Sequence, residues 1–134
     1  MPQREIEQIL TRQLASHLAM PAFIVDDAGT LIYYNEPAEQ ILGRRYEETF
    51  EMPLEEWASR FIPVSREGEP IAPEELPLVI ALKEKRPAQK QFYIEGYDHV
   101  RRLIEVTAFP LCGRTGSKDR NLGAVALFWE RDEE

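Results

Sequence analysis

With 134 residues, 43% of them hydrophobic and 30% charged, the chain has the length and composition of one globular domain able to bury a core. Its formal net charge of −8 comes with no basic cluster beyond pairs such as Arg44-Arg45 and Arg101-Arg102, which argues against nucleic acid or an anionic membrane as partner. The single cysteine, Cys112, excludes an internal disulfide and a cysteine-built zinc cage, and no apolar run reaches membrane-span length or forms a signal-peptide core, so the expected location is the cytoplasm.

Residues 3–18 place Ile6, Ile9, Leu10, Leu14 and Leu18 along one face of a helix, with charges and amides opposite. Such a face either packs on its own domain or forms a dimer seam. Met20-Pro21 breaks it, dividing the chain into an N-terminal helix, 1–20, and a domain, 21–134. Two β-rich runs follow, Phe23–Asp26 and Thr30–Tyr34, around a turn at Asp27-Ala28-Gly29. Asn35 then stands at a helix N-cap, with Glu36 and Pro37 in the first turn. Ala38, Ile41 and Leu42 form the apolar stripe of that helix, and Gly43 suits a left-handed C-cap.

Between residues 44 and 73, prolines punctuate the chain, and Leu54–Phe61 reads as a short helix burying Leu54, Trp57, Ala58 and Phe61. Residues 74–86 predict a clearer helix, acidic at its start and basic in its last turn, with Leu76, Val79, Ile80 and Leu82 inward and Pro87 ending it. The period then changes to that of strands: Gln89–Glu95, Arg102–Leu111 and Leu122–Glu130. Gly96–His99 is a hairpin turn between the first two, and Gly113–Asn121 a longer polar loop between the last two. Two strands, a helical middle and three strands predict an α+β domain with a five-stranded antiparallel sheet.

The stretches FIVDDAGTLIYYNEPAEQILG, GEPIAPEELPLVIAL, RLIEVTAFPL and LGAVALFW, in this order and spacing, resemble a PAS domain, the small sensory module of signalling proteins. The likeness runs from about Pro21 to Glu130. It implies the sheet order 2-1-5-4-3, with helices covering one face over a ligand cavity or a filled core. Strand alternation puts Phe23, Val25, Leu31, Tyr33, Phe92, Ile94, Ile104, Val106, Ala108, Ala124, Ala126 and Phe128 on one side, which the resemblance makes the helix-covered face. Ile24, Ile32, Tyr34, Leu103, Val125, Leu127 and Trp129 fall on the other, with Glu105 and Thr107. Two largely apolar faces need two covers, and the N-terminal helix is the available one for the second.

The expected pocket lining is Phe23, Val25, Leu31, Val79, Phe92, Ile104, Val106, Ala124, Ala126 and Phe128, with the Tyr33 hydroxyl as polar anchor for a small apolar or aromatic ligand. A packed core explains the same residues. The expected dimer seam is Ile6, Ile9, Leu10, Leu14, Ile24, Ile32, Leu127 and Trp129. No metal ligands or catalytic residues are assigned, since no GxSxG, HExxH, P-loop or dinucleotide fingerprint occurs. Light-sensing PAS domains carry a reactive Cys in a GxNCRFLQ-like stretch where this chain reads GRRYEETFE, and haem-binding ones carry a His on the helix that here reads EELPLVIALKEKR. Covalent flavin and haem are therefore not expected, and the cofactor stays open. After Gly123, the residues Glu130-Arg131-Asp132 replace the output triplet of the family, which fits either a stand-alone regulator or a piece of a longer receptor. The resulting expectation is a sensory and interaction domain, homodimeric and coupled to a signalling effector. The alternatives are a ligand-free scaffold and a small cavity enzyme.

Overall fold

A computed structural model describes residues 6–46, 51–115 and 118–132, leaving aside the side chains of 6–9, 12, 113–115 and 118–120. The order is α1 (Ile6–His17), β1 (Ala22–Val25), β2 (Leu31–Tyr34), α2 (Glu36–Leu42), α3 (Leu54–Arg60), a 3-10 turn (Pro73–Glu75), α4 (Pro77–Glu84), β3 (Ala88–Glu95), β4 (Arg101–Thr115) and β5 (Lys118–Glu130). The five strands form one antiparallel sheet in the order β2-β1-β5-β4-β3, as expected. Helices α2 to α4 enclose the main core on one face, and α1 lies on the other.

The β1–β2 turn forms because Asp26, one residue before the predicted turn, accepts from the Ala28 and Thr30 N–H groups, each at 3.0 Å. Asn35 caps α2 as its position predicts, accepting from Ala38 N–H at 3.2 Å, and Gly43 closes the helix at φ 85°. The same Asn35 side chain is fully buried and does three further things. Its oxygen accepts from Ala22 N–H at 2.9 Å, and its amide donates to Ala15 O at 2.8 Å and Met20 O at 2.9 Å.

Three expectations change. First, Phe23 opposes Tyr34, Ile24 opposes Tyr33 and Val25 opposes Leu31, so β2 carries one extra residue, a β-bulge at Ile32-Tyr33. The bulge resets the alternation, placing Tyr34 in the helix-side core and Tyr33 on the outer side, the reverse of the predicted parity. Second, the α4 helix starts at Pro77 and not at Glu74, because the residue before a proline is pushed out of the α region; Leu76 is extended at ψ 136°. Third, Gly113–Asn121 is mostly strand: β4 and β5 pair as far as Thr115↔Lys118, beyond a bulge at Leu111/Cys112.

Helix α1 meets the sheet through Ala15, which is buried with Ala22, Ile24, Ile32 and Val125. Leu10 and Leu14 stay 56% and 63% exposed, so the predicted stripe lies beside the contact rather than in it. The small Ala15 side chain lets the helix backbone come close enough for its carbonyl to reach Asn35. Toward β3 and β4 the outer face mixes Tyr93, Leu103 and Trp129 with polar side chains. There Glu105 accepts from Gln89, from Gln91 at 3.2 Å and from Arg131 at 3.1 Å. One further constraint is steric. At Gly123 (φ 129°) a Cβ would overlap the Val25 carbonyl oxygen, so β5 and β1 pair only around a glycine.

Asn35→Ala strands two acceptors and two donors and is expected to cost about 3 kcal/mol in urea denaturation. Asn35→Asp keeps both acceptor bonds but sets a carboxylate against two carbonyls. It should therefore free α1, read as faster amide exchange in residues 10–18, while α2 stays protected.

Candidate ligand-binding site

A cavity of about 80 Å³ lies between the inner sheet face and helices α3 and α4. The sheet supplies Phe23, Phe92, Ile94, Ile104, Val106, Ala126 and Phe128. The helices and their connections supply Leu42, Trp57, Ala58, Phe61, Pro63, Leu76, Pro77 and Leu78. Phe23 meets Trp57 edge-on at 5.5 Å and stacks on Tyr34 at 6.0 Å, which stiffens one wall.

Six of the residues named from sequence border this space: Phe23, Phe92, Ile104, Val106, Ala126 and Phe128. Val25, Leu31, Val79 and Ala124 are buried in the surrounding core but do not line it. Tyr33 is corrected: the bulge carries it to an open polar groove with Ser16, Glu36, Glu39, Gln40, Arg44 and Arg45, where it packs edge-on against Tyr46 at 5.5 Å. Leu42, Trp57, Ala58, Phe61 and Leu76 announce burial by their helical spacing, but spacing carries no signal that a side chain borders a void.

The cavity offers no free polar handle. Trp57 Nε1 donates to Gly29 O at 2.8 Å, and Tyr34, which holds the inner position expected for Tyr33, donates its hydroxyl to Arg44 O at 2.7 Å. Its volume is also small. About 30 Å³ per non-hydrogen atom admits an apolar body of roughly three atoms, and a cavity holding benzene needs about 150 Å³.

At the end bounded by Leu42 and Phe61, the β3–β4 turn folds over the lining. Tyr97 donates its N–H to Leu42 O at 2.7 Å and meets Phe61 edge-on at 5.6 Å. Two guanidiniums lie over the Tyr97 ring, Arg60 at 3.9 Å and Arg44 at 4.3 Å from its centre. Burial raises the Tyr97 phenol above its ordinary value, against the pull of Arg60 and Arg44 toward the phenolate. Beside it, Arg102 donates to Asp98 Oδ2 at 2.9 Å and to Ile41 O at 2.9 Å, tying the turn to the end of α2. Gly43 fits under this turn, since a Cβ there would stand 2.9 Å from Asp98 N. Hydrogen bonds from Arg102, then Val100 N–H, hold the Asp98 carboxyl below its ordinary value.

The residues named for association are split. Ile24, Ile32 and Leu127 belong to the cluster under α1, Trp129 is half-buried, Leu10 and Leu14 are exposed, and the side chains of Ile6 and Ile9 lie outside the described set. Cys112 is exposed on β4, and His99 is exposed beside Glu95 at 3.3 Å. Among the described residues no three His, Cys, Asp or Glu side chains gather as a metal site.

A sequence profile described as a PAS domain matches residues 10–77. Among curated proteins no sequence matches. Of solved structures, the Rhodobacter sphaeroides LOV protein superposes with a TM-score of 0.71 at 16% identity, over 94% of this chain and 68% of that one. The PAS domain of an HTR-like protein from Haloarcula marismortui gives 0.61 at 14% identity, over 94% of each chain. The PAS domain of nitrogen regulation protein NR(II) from Vibrio parahaemolyticus gives 0.59 at 18% identity, over 91% of this chain and 98% of that one.

Ala126→Val, which adds two methyl carbons at the void, is expected to abolish xenon uptake by the parent protein while changing stability by under about 1 kcal/mol. A second expectation concerns acid. A carboxyl whose folded value is lowered stabilises the fold above its ordinary value and ceases to as pH falls through the folded one. The parent should therefore exceed Asp98→Asn in urea midpoint at pH 7, and the gap should close as pH falls below about 4.

Proposed function

The chain belongs to the PAS family, and from that premise we propose that it is a cytoplasmic sensory and interaction module whose cavity takes a small apolar ligand non-covalently and whose association state carries the signal. PAS domains are in general sensory, non-catalytic modules of signalling proteins. One observation carries the reading: a single sheet layer separates the cavity from the α1 contact. Phe23 and Ala126 border the cavity, while their neighbours Ile24 and Val125 pack under α1. A ligand that repacks Phe23 therefore acts on the strand that holds α1, and differential affinity for two α1 arrangements shifts their populations.

The exposed Leu10 and Leu14 continue an apolar surface beside that contact, which favours a second copy of the chain or an effector protein as partner. Among the described residues no helix is long and apolar enough to cross a membrane. The small cavity volume favours a second reading, a ligand-free dimerisation scaffold. The enzymatic reading lacks the inward hydroxyl expected of Tyr33, which stands outside the cavity.

Native mass spectrometry of the purified protein separates sensor from scaffold: a co-purifying small molecule supports the first, and a bare chain that still dimerises supports the second. Leu14→Asp, at a position already exposed, should leave folding within about 0.5 kcal/mol of the parent and shift sedimentation toward monomer. An unchanged dimer would remove α1 from the interface.

A further inference from the structure

The loop from α3 to the 3-10 turn holds a strained joint. Ile62 has φ 48°, in the left-handed region, and is 52% exposed. Lys85 and His99 share a positive φ, but isoleucine is β-branched, and its crowded Cβ makes that backbone a genuine outlier. Such strain persists only where the surroundings impose it.

Here the sheet edge imposes it. β3 is the last strand of the sheet, and the chain leaving α3 runs along its outer side. Glu95 N–H donates to Phe61 O at 2.8 Å, while Val64 N–H donates to Tyr93 O at 3.0 Å and Tyr93 N–H to Val64 O at 2.8 Å. Ile62 and Pro63 together span the gap that Ile94 spans alone on β3. A bulge of this kind takes a left-handed residue, a place that suits glycine and not isoleucine. Phe61, Pro63 and Ile94 all line the cavity, so the strained joint belongs to its wall.

Beyond the joint, residues 63–70 form a small unit of their own. Val64 bridges Pro70, Ser65 N–H donates to Glu69 O at 2.7 Å, and Gly68 N–H donates to Ser65 O at 2.9 Å. None of residues 63–70 is fully buried, and the core resumes at Ile71. The unit is fastened to β3 by the Val64–Tyr93 pair and by Arg66, which donates to Gln91 Oε1 at 2.7 Å. On the other side of Ile62, Phe61 keeps its bond to Glu95 N–H and its contact with the Tyr97 ring. A segment with little buried area opens locally at low cost.

We propose that residues 63–70 are a flap over the cavity, hinged at Ile62 and anchored at Ile71, and that ligand passes beneath it between Pro63 and Ile94. This rests on the reading of the cavity as a ligand site. The closed flap holds Ile62 at positive φ, and opening lets it return to negative φ. The strain released offsets part of the cost of breaking the Val64–Tyr93 pair. A ligand in contact with Pro63 favours the closed flap and shifts the population toward it.

Xenon exchange followed by magnetic resonance reads traffic into the cavity, and amide exchange at Val64 and Tyr93 reads the flap. The parent is compared with Ile62→Val, Ile62→Asn and Ile62→Gly. Asparagine and glycine tolerate the left-handed backbone and should slow both readouts at least about threefold, whereas valine, still β-branched, should match the parent. The fraction of xenon bound should stay the same throughout, showing the cavity intact. Glycine also loosens the open flap, so asparagine decides where the two differ. Unchanged or faster amide exchange in Ile62→Asn overturns the hinge and, with xenon still bound, leaves the cavity as a ligand site. Slower amides with unchanged xenon traffic place entry elsewhere and also overturn the proposal. If no xenon enters the parent, the cavity reading falls and the flap with it.

Discussion

The arrangement depends on one buried amide. Asn35 is 0% exposed and places all four of its hydrogen bonds on backbone groups: Ala38 N–H at the start of α2, Ala22 N–H at the start of β1, Ala15 O in the last turns of α1, and Met20 O in the link between them. A buried polar side chain is tolerable only when satisfied, and here each bond fixes a different element. The C-terminal end of α1 is thus held to the sheet mainly by this amide and by one small residue, Ala15. An apolar docking face of Leu10 and Leu14 would have buried more area but kept the helix backbone too far away for those bonds. The result is a helix with one firm anchor and an apolar stripe still exposed.

The sheet then works as a wall shared by two environments. Along β1, Phe23 borders the inner cavity and Ile24 lies under α1. Along β5, Ala126 and Val125 divide in the same way. Gly123 permits the close approach that binds these two strands at one end, since any side chain there would occupy the Val25 carbonyl. Packed interiors transmit displacement because they contain little slack. The cavity beside Phe23 is slack of that kind, so a shift of Phe23 is passed toward Ile24 and α1 only when that space is filled. Beyond Leu42 and Phe61 of the lining, the turn carrying Tyr97 and Asp98 is pinned to α2, and the Tyr97 ring gathers Arg44 and Arg60.

Much of this was legible in the amino-acid sequence, where the signal is local. Asn35 and Gly43 as caps, α3 with its buried Trp57 and Phe61, and the five strands follow from side-chain chemistry within a few residues, and the PAS likeness supplied their order in the sheet. Local rules failed where a neighbour intervened. Pro77 moved the start of α4, and a single extra residue in β2 exchanged the faces of Tyr33 and Tyr34. That exchange took the one polar anchor out of the expected pocket.

What the sequence determined by itself is the order of helices and strands and most of the side chains that leave water, because propensity, capping and periodicity act over short stretches of chain. What only the tertiary structure decided is how those side chains meet. Whether the buried residues leave about 80 Å³ open, whether Ala15 or Leu14 faces the sheet, and whether Arg44 and Arg60 share one tyrosine all depend on elements far apart in the chain packing against one another. No periodicity records such distances, because a void and a bulge are properties of the assembled layers.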